Sequence, residues 1–301
     1  MFKKLLIFLV FIITVPLLVF ARIPRDKKTN TENPLGISTG IANIPSHPSI
    51  FFDEGTFYSG VEQAKRDSKP VSNHIFGGII PHHLFPGFII ADFFARLTQQ
   101  NPETIILIGP NHYEKGNFKA LSSLYSWDTP LGVVEPEKSI IDQLLKDALI
   151  RIDENVLSNE HSVAGIMPFV KYYLPDSRVV PIILSGYMTQ ENTRTLSEVL
   201  KSYVNERTVI IAPVDFSHYL TNSEAQQKDE VTLEAMKNFD YRTLFSLNND
   251  YLDSPASIAT VLMVMENLGR TEMDILHHTN SGELQKNDSI GTTSYFSISY
   301  Y

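Results

Sequence analysis

The stretch Gly77-Gly78-Ile79-Ile80-Pro81-His82-His83-Leu84-Phe85-Pro86-Gly87 decides how the chain reads. A short apolar run stops at a pair of histidines and closes on Pro-Gly, the pattern of a buried strand whose carboxyl-end loop carries imidazole. In open α/β sheets, ligands bind in the crevice beyond the carboxyl ends of the strands, so other strands must deliver partners to the same edge. Two further apolar runs do so. Residues 104–108 lead into Gly109-Pro110-Asn111-His112-Tyr113, and residues 209–212 lead into Pro213-Val214-Asp215-Phe216-Ser217-His218-Tyr219. If these strands are parallel, His82, His112, Asp215 and His218 converge although they are far apart in sequence. His161, in Asn159-Glu160-His161-Ser162 at the expected start of a helix, is a fourth candidate imidazole.

Working outward, strands are expected at 75–81, 104–109, 179–184, 208–212 and 290–300, and helices at 87–99, 137–149, 162–173, 191–203, 222–238 and 255–268. Strands separated by helices predict βαβ units, hence an α/β fold with a largely parallel or mixed central sheet flanked by helices. No Pro/Gly/Ser-rich linker divides the body, so residues 45–301 read as one domain. Residues 22–44, rich in Pro, Asn, Thr and charge, read as a flexible linker. Ahead of them, a short basic end and an apolar run over residues 5–21, ending in Val19-Phe20-Ala21, predict a signal peptide or an N-terminal membrane anchor. Either puts the body outside the cytoplasm, secreted or attached to a membrane through residues 5–21.

Composition narrows the chemistry. With 43% hydrophobic residues in 301, the chain has ample material for a core. A formal charge of -9 without clustered Lys or Arg in the body argues against a nucleic-acid partner and for small molecules or metal ions. There is no cysteine, which removes disulfides, Cys-ligated zinc, iron–sulfur clusters and thiol nucleophiles, and leaves any metal to His, Asp, Glu or neutral donors. Dinucleotide-binding, phosphate-loop, nucleophile-elbow and His-Glu-x-x-His patterns are missing. A Ser-His-Asp triad built from Ser217 or Ser162 with His218 or His161 lacks the strained turn that exposes a nucleophile. His47, His74, His277 and His278 do not sit at strand ends and read as structural or exposed. His83, next to His82 in an extended segment, should face the other way.

Pro-His at 81–82, Gly-Pro-Asn-His at 109–112, Glu-His-Ser at 160–162 and Asp-Phe-Ser-His-Tyr at 215–219 occur here in the order found in the Memo family, whose bacterial members are called AmmeMemoRadiSam system protein B. Gly55-Thr56-Phe57-Tyr58 resembles that family's opening motif, and Asn280-Ser281-Gly282 with Asp288-Ser289-Ile290-Gly291 resembles its closing segment. The resemblance implies a fold similar to class III extradiol dioxygenases of the LigB type, with a metal-capable cleft. It carries metal-binding roles onto His82 and His112. The family's third position, a Cys, falls here at Asp253 in Leu252-Asp253-Ser254-Pro255-Ala256. Two imidazoles and a carboxylate form a set that favours Fe(II), with Zn(II), Mn(II) or copper as alternatives. Against that reading, Asp253 is also placed to cap the helix starting near Pro255, a role equally open to Ser254. The family's second Glu after Glu-His-Ser is Ala164 in this chain.

These residues imply a non-haem metal-dependent redox enzyme acting on a small organic substrate, in which His161, Asp215 and His218 supply acid/base or orienting groups. A non-catalytic metal-binding or interaction protein and a metal-dependent hydrolase are the competing readings.

Overall fold

Ile105 and Leu107 pack on one face of the central sheet, and Ile106 and Ile108 pack on the other. The same division separates Val209 and Ile211 from Ile210 and Ala212. Period-two alternation in strands covered on both faces produces the near-continuous apolar runs seen in the sequence. Each fully buried Ile or Leu contributes about 1.5–3 kcal/mol relative to exposure. The computed structural model describes residues 45–69, 73–287 and 291–301. The expected signal or anchor (1–21) and linker (22–44) lie outside the described residues. Among the described residues, no helix is long and apolar enough to cross a membrane.

The described residues form a mixed α/β domain. Its main sheet has nine strands, ordered His218–Leu220, Thr292–Tyr300, Gly77–Ile80, Thr208–Pro213, Thr104–Pro110, Arg178–Leu184, Ala120–Ser122 and Arg151–Ile152, with Met273–Asn280 also paired to Thr292–Tyr300. The four strands from Gly77–Ile80 to Arg178–Leu184 are mutually parallel. On one side Thr292–Tyr300 runs antiparallel to Gly77–Ile80, and on the other Ala120–Ser122 runs antiparallel to Arg178–Leu184. The sheet is therefore mixed around a parallel centre, as the sequence predicts.

Helices Lys138–Lys146, Gln190–Leu200 and Pro255–Leu268 cover one face; Glu54–Asp67, Gly87–Leu97 and Met167–Tyr173 cover the other. The glycine pair at the start of the central strand is explained by this double cover. A Cβ on Gly78 would lie 2.2 Å from the Phe93 ring, and one on Gly77 would lie 2.8 Å from the Met265 sulfur, so both helices approach the strand more closely than any side chain allows.

Several boundaries differ from expectation for local reasons. The single helix expected at 162–173 is two helices, His161–Ala164 and Met167–Tyr173. Pro168 lies in the first turn of the second, where its missing N–H costs no hydrogen bond, so a new helix starts there. Strand Met273–Asn280 was not expected, since its half-exposed residues lack an apolar run. The late strand is Thr292–Tyr300, and residue 290, its expected start, lies outside the described residues. A separate three-stranded sheet joins Ser46–Pro48, Ser126–Thr129 and Gly132–Val134.

Candidate metal centre

Parallel pairing delivers the site. Ile80 and Pro213 are register partners, and the Val214 N–H donates to the Ile80 carbonyl at 2.8 Å, so these two strands run out side by side. Beyond their ends, Asp215 Oδ1 accepts from the backbone N–H of His82 at 3.1 Å and of His83 at 3.4 Å. The Thr104–Pro110 strand flanks Thr208–Pro213 on its other side and supplies His112. At Gly109 a Cβ would lie 2.6 Å from Ser162 Oγ, and this close approach brings the Glu160-His161-Ser162 turn against the same edge.

His82, His112 and His161 each turn a ring nitrogen into one place, all within 4.8 Å of one another. The His112 and His161 rings stack, with centroids 4.1 Å apart, and the His82 ring stands edge-on to both. Asp253 completes the group: its Oδ2 is 3.5 Å from His82 Nε2 and 3.5 Å from His112 Nε2. Asp253 arrives through an antiparallel bridge between Phe216 and Leu252 and a 3.1 Å bond from its N–H to the Asp215 carbonyl. The cap alternative falls to its neighbour. Ser254 is the N-cap of Pro255–Leu268, its side chain accepting from the Ser257 N–H.

The outer nitrogens are committed. His82 Nδ1 is 3.2 Å from the Pro213 carbonyl, which can only accept, so the proton sits there and Nε2 keeps its lone pair. His112 Nδ1 is 2.8 Å from Glu160 Oε1, while Glu160 Oε2 accepts the His112 backbone N–H at 2.9 Å. Glu160 Oε1 also caps the short helix through the Ser162 N–H at 2.9 Å. This fixing of one ring nitrogen to direct the other inward is how protein metal centres orient histidine. The buried Asp253 Oδ1 has no hydrogen-bond partner, which costs free energy unless a cation or solvent fills the site. The donor set therefore fits a metal ion: the His triad can hold one, and Asp253 stands within reach of two of its members.

Charge follows the same geometry. Burial pulls the His82 imidazole down to about 4, opposed by Asp253 and assisted by His112 and His161. Burial also lowers His112, but Asp253 and Glu160 outweigh it and hold that ring at about 10. Burial, then His112, depress His161. Burial raises the Asp215 carboxyl above its ordinary value against the pull of His83 and His218.

The remaining candidates separate cleanly. His83 turns away, its Nδ1 2.8 Å from the Tyr295 hydroxyl. His218 does not join the imidazole group, and its Nδ1 is buried without a partner. Ser162 Oγ donates to the Pro110 carbonyl and Ser217 Oγ to Asp229 Oδ1, so neither serine has a histidine to take its proton. His277 and His278 bind Asp92 and Asp229, and His47 binds Ser158 and Ser123, all as structural contacts. Glu160 stands in the sequence as an acidic residue beside His161, and its task of orienting His112 is what the structure adds.

A mixed α/β sheet whose parallel strands carry His82, His112 and Asp215 on their end loops, joined there by His161 and Asp253 from two helix starts, places the protein among α/β proteins with a strand-edge metal-capable cleft. The model of the Memo-like protein family matches residues 59–298, and the chain belongs to that family. It is 28% identical over 237 residues to a MEMO1 family protein of Pyrobaculum aerophilum, covering 75% of this chain and 83% of the relative. It is 29% identical over 234 residues to one of Saccharolobus solfataricus, covering 74% and 79%. Among solved structures, an uncharacterized protein of Escherichia coli K12 is similar in fold, with a TM-score of 0.52 and 11% identity, covering 73% of this chain and 98% of that one.

Proposed function

We propose that this Memo-like protein binds a divalent metal through His82, His112 and Asp253 and uses it as a non-haem redox centre acting on a small organic substrate. The observation that carries the reading is the position of Asp253 Oδ2, equidistant from the inward nitrogens of His82 and His112. Two imidazoles and a carboxylate favour Fe(II), and Zn(II), Mn(II) or copper fit the same donors less selectively. When bound, such an ion supplies Lewis acidity and open positions for substrate or oxygen. The chain's own groups do the rest. Glu160 holds His112 in orientation, and Asp215, its carboxyl raised above the ordinary value by burial, pins the His82 loop through two backbone N–H groups. His161, half-buried with its ring against His112, or His218 moves protons between site and solvent. The apolar N-terminal run supports a location outside the cytoplasm, secreted or attached to a membrane.

One observation favours a second reading, a metal-holding protein without turnover. If His161 ligates as well, three imidazoles and a carboxylate close four positions, as in structural rather than catalytic centres.

The test is anaerobic purification of the full chain, metal analysis, and oxygen uptake across a panel of small organic substrates. The redox reading expects one metal per chain, lost in His82→Ala and His112→Ala, with oxygen uptake surviving in His161→Ala at reduced rate. Metal content that ignores His82→Ala removes both readings. Full metal with no turnover on any substrate favours the second.

A further inference from the structure

A cleft of about 420 Å³ opens beside the centre, with His112 and Asp253 in its wall. Its other lining includes apolar Leu184 and Phe245 and neutral Asn248 and Asn249, and it contains no lysine or arginine. The one further charge is Glu114. That residue is held at φ +48°, in the left-handed region that side-chain-bearing residues adopt at a cost. Its Oε1 accepts the Gly186 N–H at 2.6 Å and its Oε2 accepts the Ser185 hydroxyl at 2.5 Å, which fixes the carboxylate in the wall between two strand-end loops. Two of about four acceptor positions remain, and among the described residues no cation pairs with either oxygen. Nearby Lys119 is bound to Asn192, and Lys115 lies over the Tyr113 ring. Besides His112, whose ring is paired with Asp253 and Glu160, the one positive feature in the wall is the start of helix Pro255–Leu268. Pro255 has no N–H, Ser254 caps Ser257, and the Asp253 carboxylate already stands there.

We infer that this cleft takes small organic ligands whose end remote from the metal centre is cationic or uncharged, and that Glu114 sets this preference against carboxylates and phosphates. The inference rests on the metal-centre reading for which end of the ligand points inward, but the charge of the wall does not. A carboxylate fixed by neutral donors, with no cation paired to its oxygens and Lys115 and Lys119 turned to other partners, favours an ammonium group and repels an anion, and this kind of repulsion is how sites discriminate between bodies of equal shape.

The experiment uses three metal-seeking probes that differ only in the tail: benzohydroxamate, its 4-aminomethyl derivative and its 4-carboxy derivative, titrated by calorimetry into the Co(II)-loaded full chain. The ammonium probe is expected to bind about tenfold more tightly than the carboxylate probe at low salt, with the neutral one between, and high salt should shrink the spread. Glu114→Gln should bring the ratio towards unity while Co(II) content stays constant. Asn249→Lys, at an exposed position, should reverse the order without touching Glu114. If the chain takes up no Co(II), the metal reading fails separately, and benzylamine, benzyl alcohol and benzoate are ranked on the metal-free protein by ligand-observed NMR. A carboxylate that binds as well as the ammonium, a ranking unchanged in Glu114→Gln, or no binding by either probe set overturns the inference.

Discussion

Glu160 holds His112 at two points, one oxygen on the ring Nδ1 at 2.8 Å and the other on the backbone N–H at 2.9 Å. The first contact sets which nitrogen carries the proton; the second sets where the loop puts the ring. Glu160 is itself fully buried and is fixed by capping the next helix, so the orientation of His112 is inherited from the fold.

Glu160→Gln should therefore weaken metal binding without abolishing it. A neutral amide keeps one polar contact but loses the charge that orients and polarises the imidazole, and changes of this kind cost about 10- to 100-fold in metal affinity. Competition titration against a chromophoric chelator reads this directly. Wild-type affinity in Glu160→Gln would show that the His112 orientation comes from elsewhere.

Asp253 and its neighbour Ser254 should separate in a paired substitution. Ser254→Ala removes a cap and should cost about 1 kcal/mol of stability with metal content intact. Asp253→Ala should lose metal, and the metal-free protein should also lose the stability that the Asp253–His112 pairing contributes near neutral pH. The pair of melting curves and metal analyses decides the matter, and the reverse pattern would return Asp253 to a structural role.

Much of this site was legible in the sequence because its members sit at the ends of apolar strands, where composition and turn residues mark the boundary. His82, His112 and Asp215 belong to that group, and parallel pairing brings them together as expected. The position of Asp253 was less legible. It depends on a bridge between Phe216 and Leu252, a contact across 36 residues that no local pattern encodes. The task of Glu160 was less legible for a different reason, since its carboxylate reads as an ordinary helix cap and takes up the orientation of His112 only when Gly109 lets the Ser162 turn approach. The edge strands Met273–Asn280 and Ala120–Ser122 were illegible because they carry too little periodic apolar surface to announce themselves.

Metal uptake should release a proton. In the metal-free protein burial lowers the His112 ring, but Asp253 and Glu160 outweigh it and hold the ring at about 10, above its ordinary value of 6.5. A raised pKa of this sign stabilises the metal-free fold fully below the unfolded value and loses that contribution as pH rises from 6.5 through about 10. A metal competes with that proton, so apparent affinity should climb about tenfold per pH unit from neutrality towards that value. His82, lowered to about 4, is already neutral at pH 7 and adds no slope there. Addition of Zn(II) at pH 7 to weakly buffered protein with an indicator dye should release about one proton per metal bound. Stoichiometric binding with no release would contradict the protonated state of His112.

The strand that carries His82 should tolerate no side chain at its second glycine. A Cβ on Gly78 would stand 2.2 Å from Phe93 Cζ, well inside contact distance, and Phe93 is fully buried in helix Gly87–Leu97. Gly78→Ala must therefore displace the helix or the ring, at a cost of about 1–3 kcal/mol typical of overpacked cores. Because Gly78 lies four residues before His82, the displacement should also reach the centre and reduce metal affinity. Phe93→Leu alone opens a cavity and should destabilise the domain, yet combined with Gly78→Ala it provides room for the new methyl. The double variant should be more stable than the sum of the two single losses predicts, a coupling that denaturant titration of the four proteins measures. Strict additivity would mean that the strand and helix do not meet at this glycine.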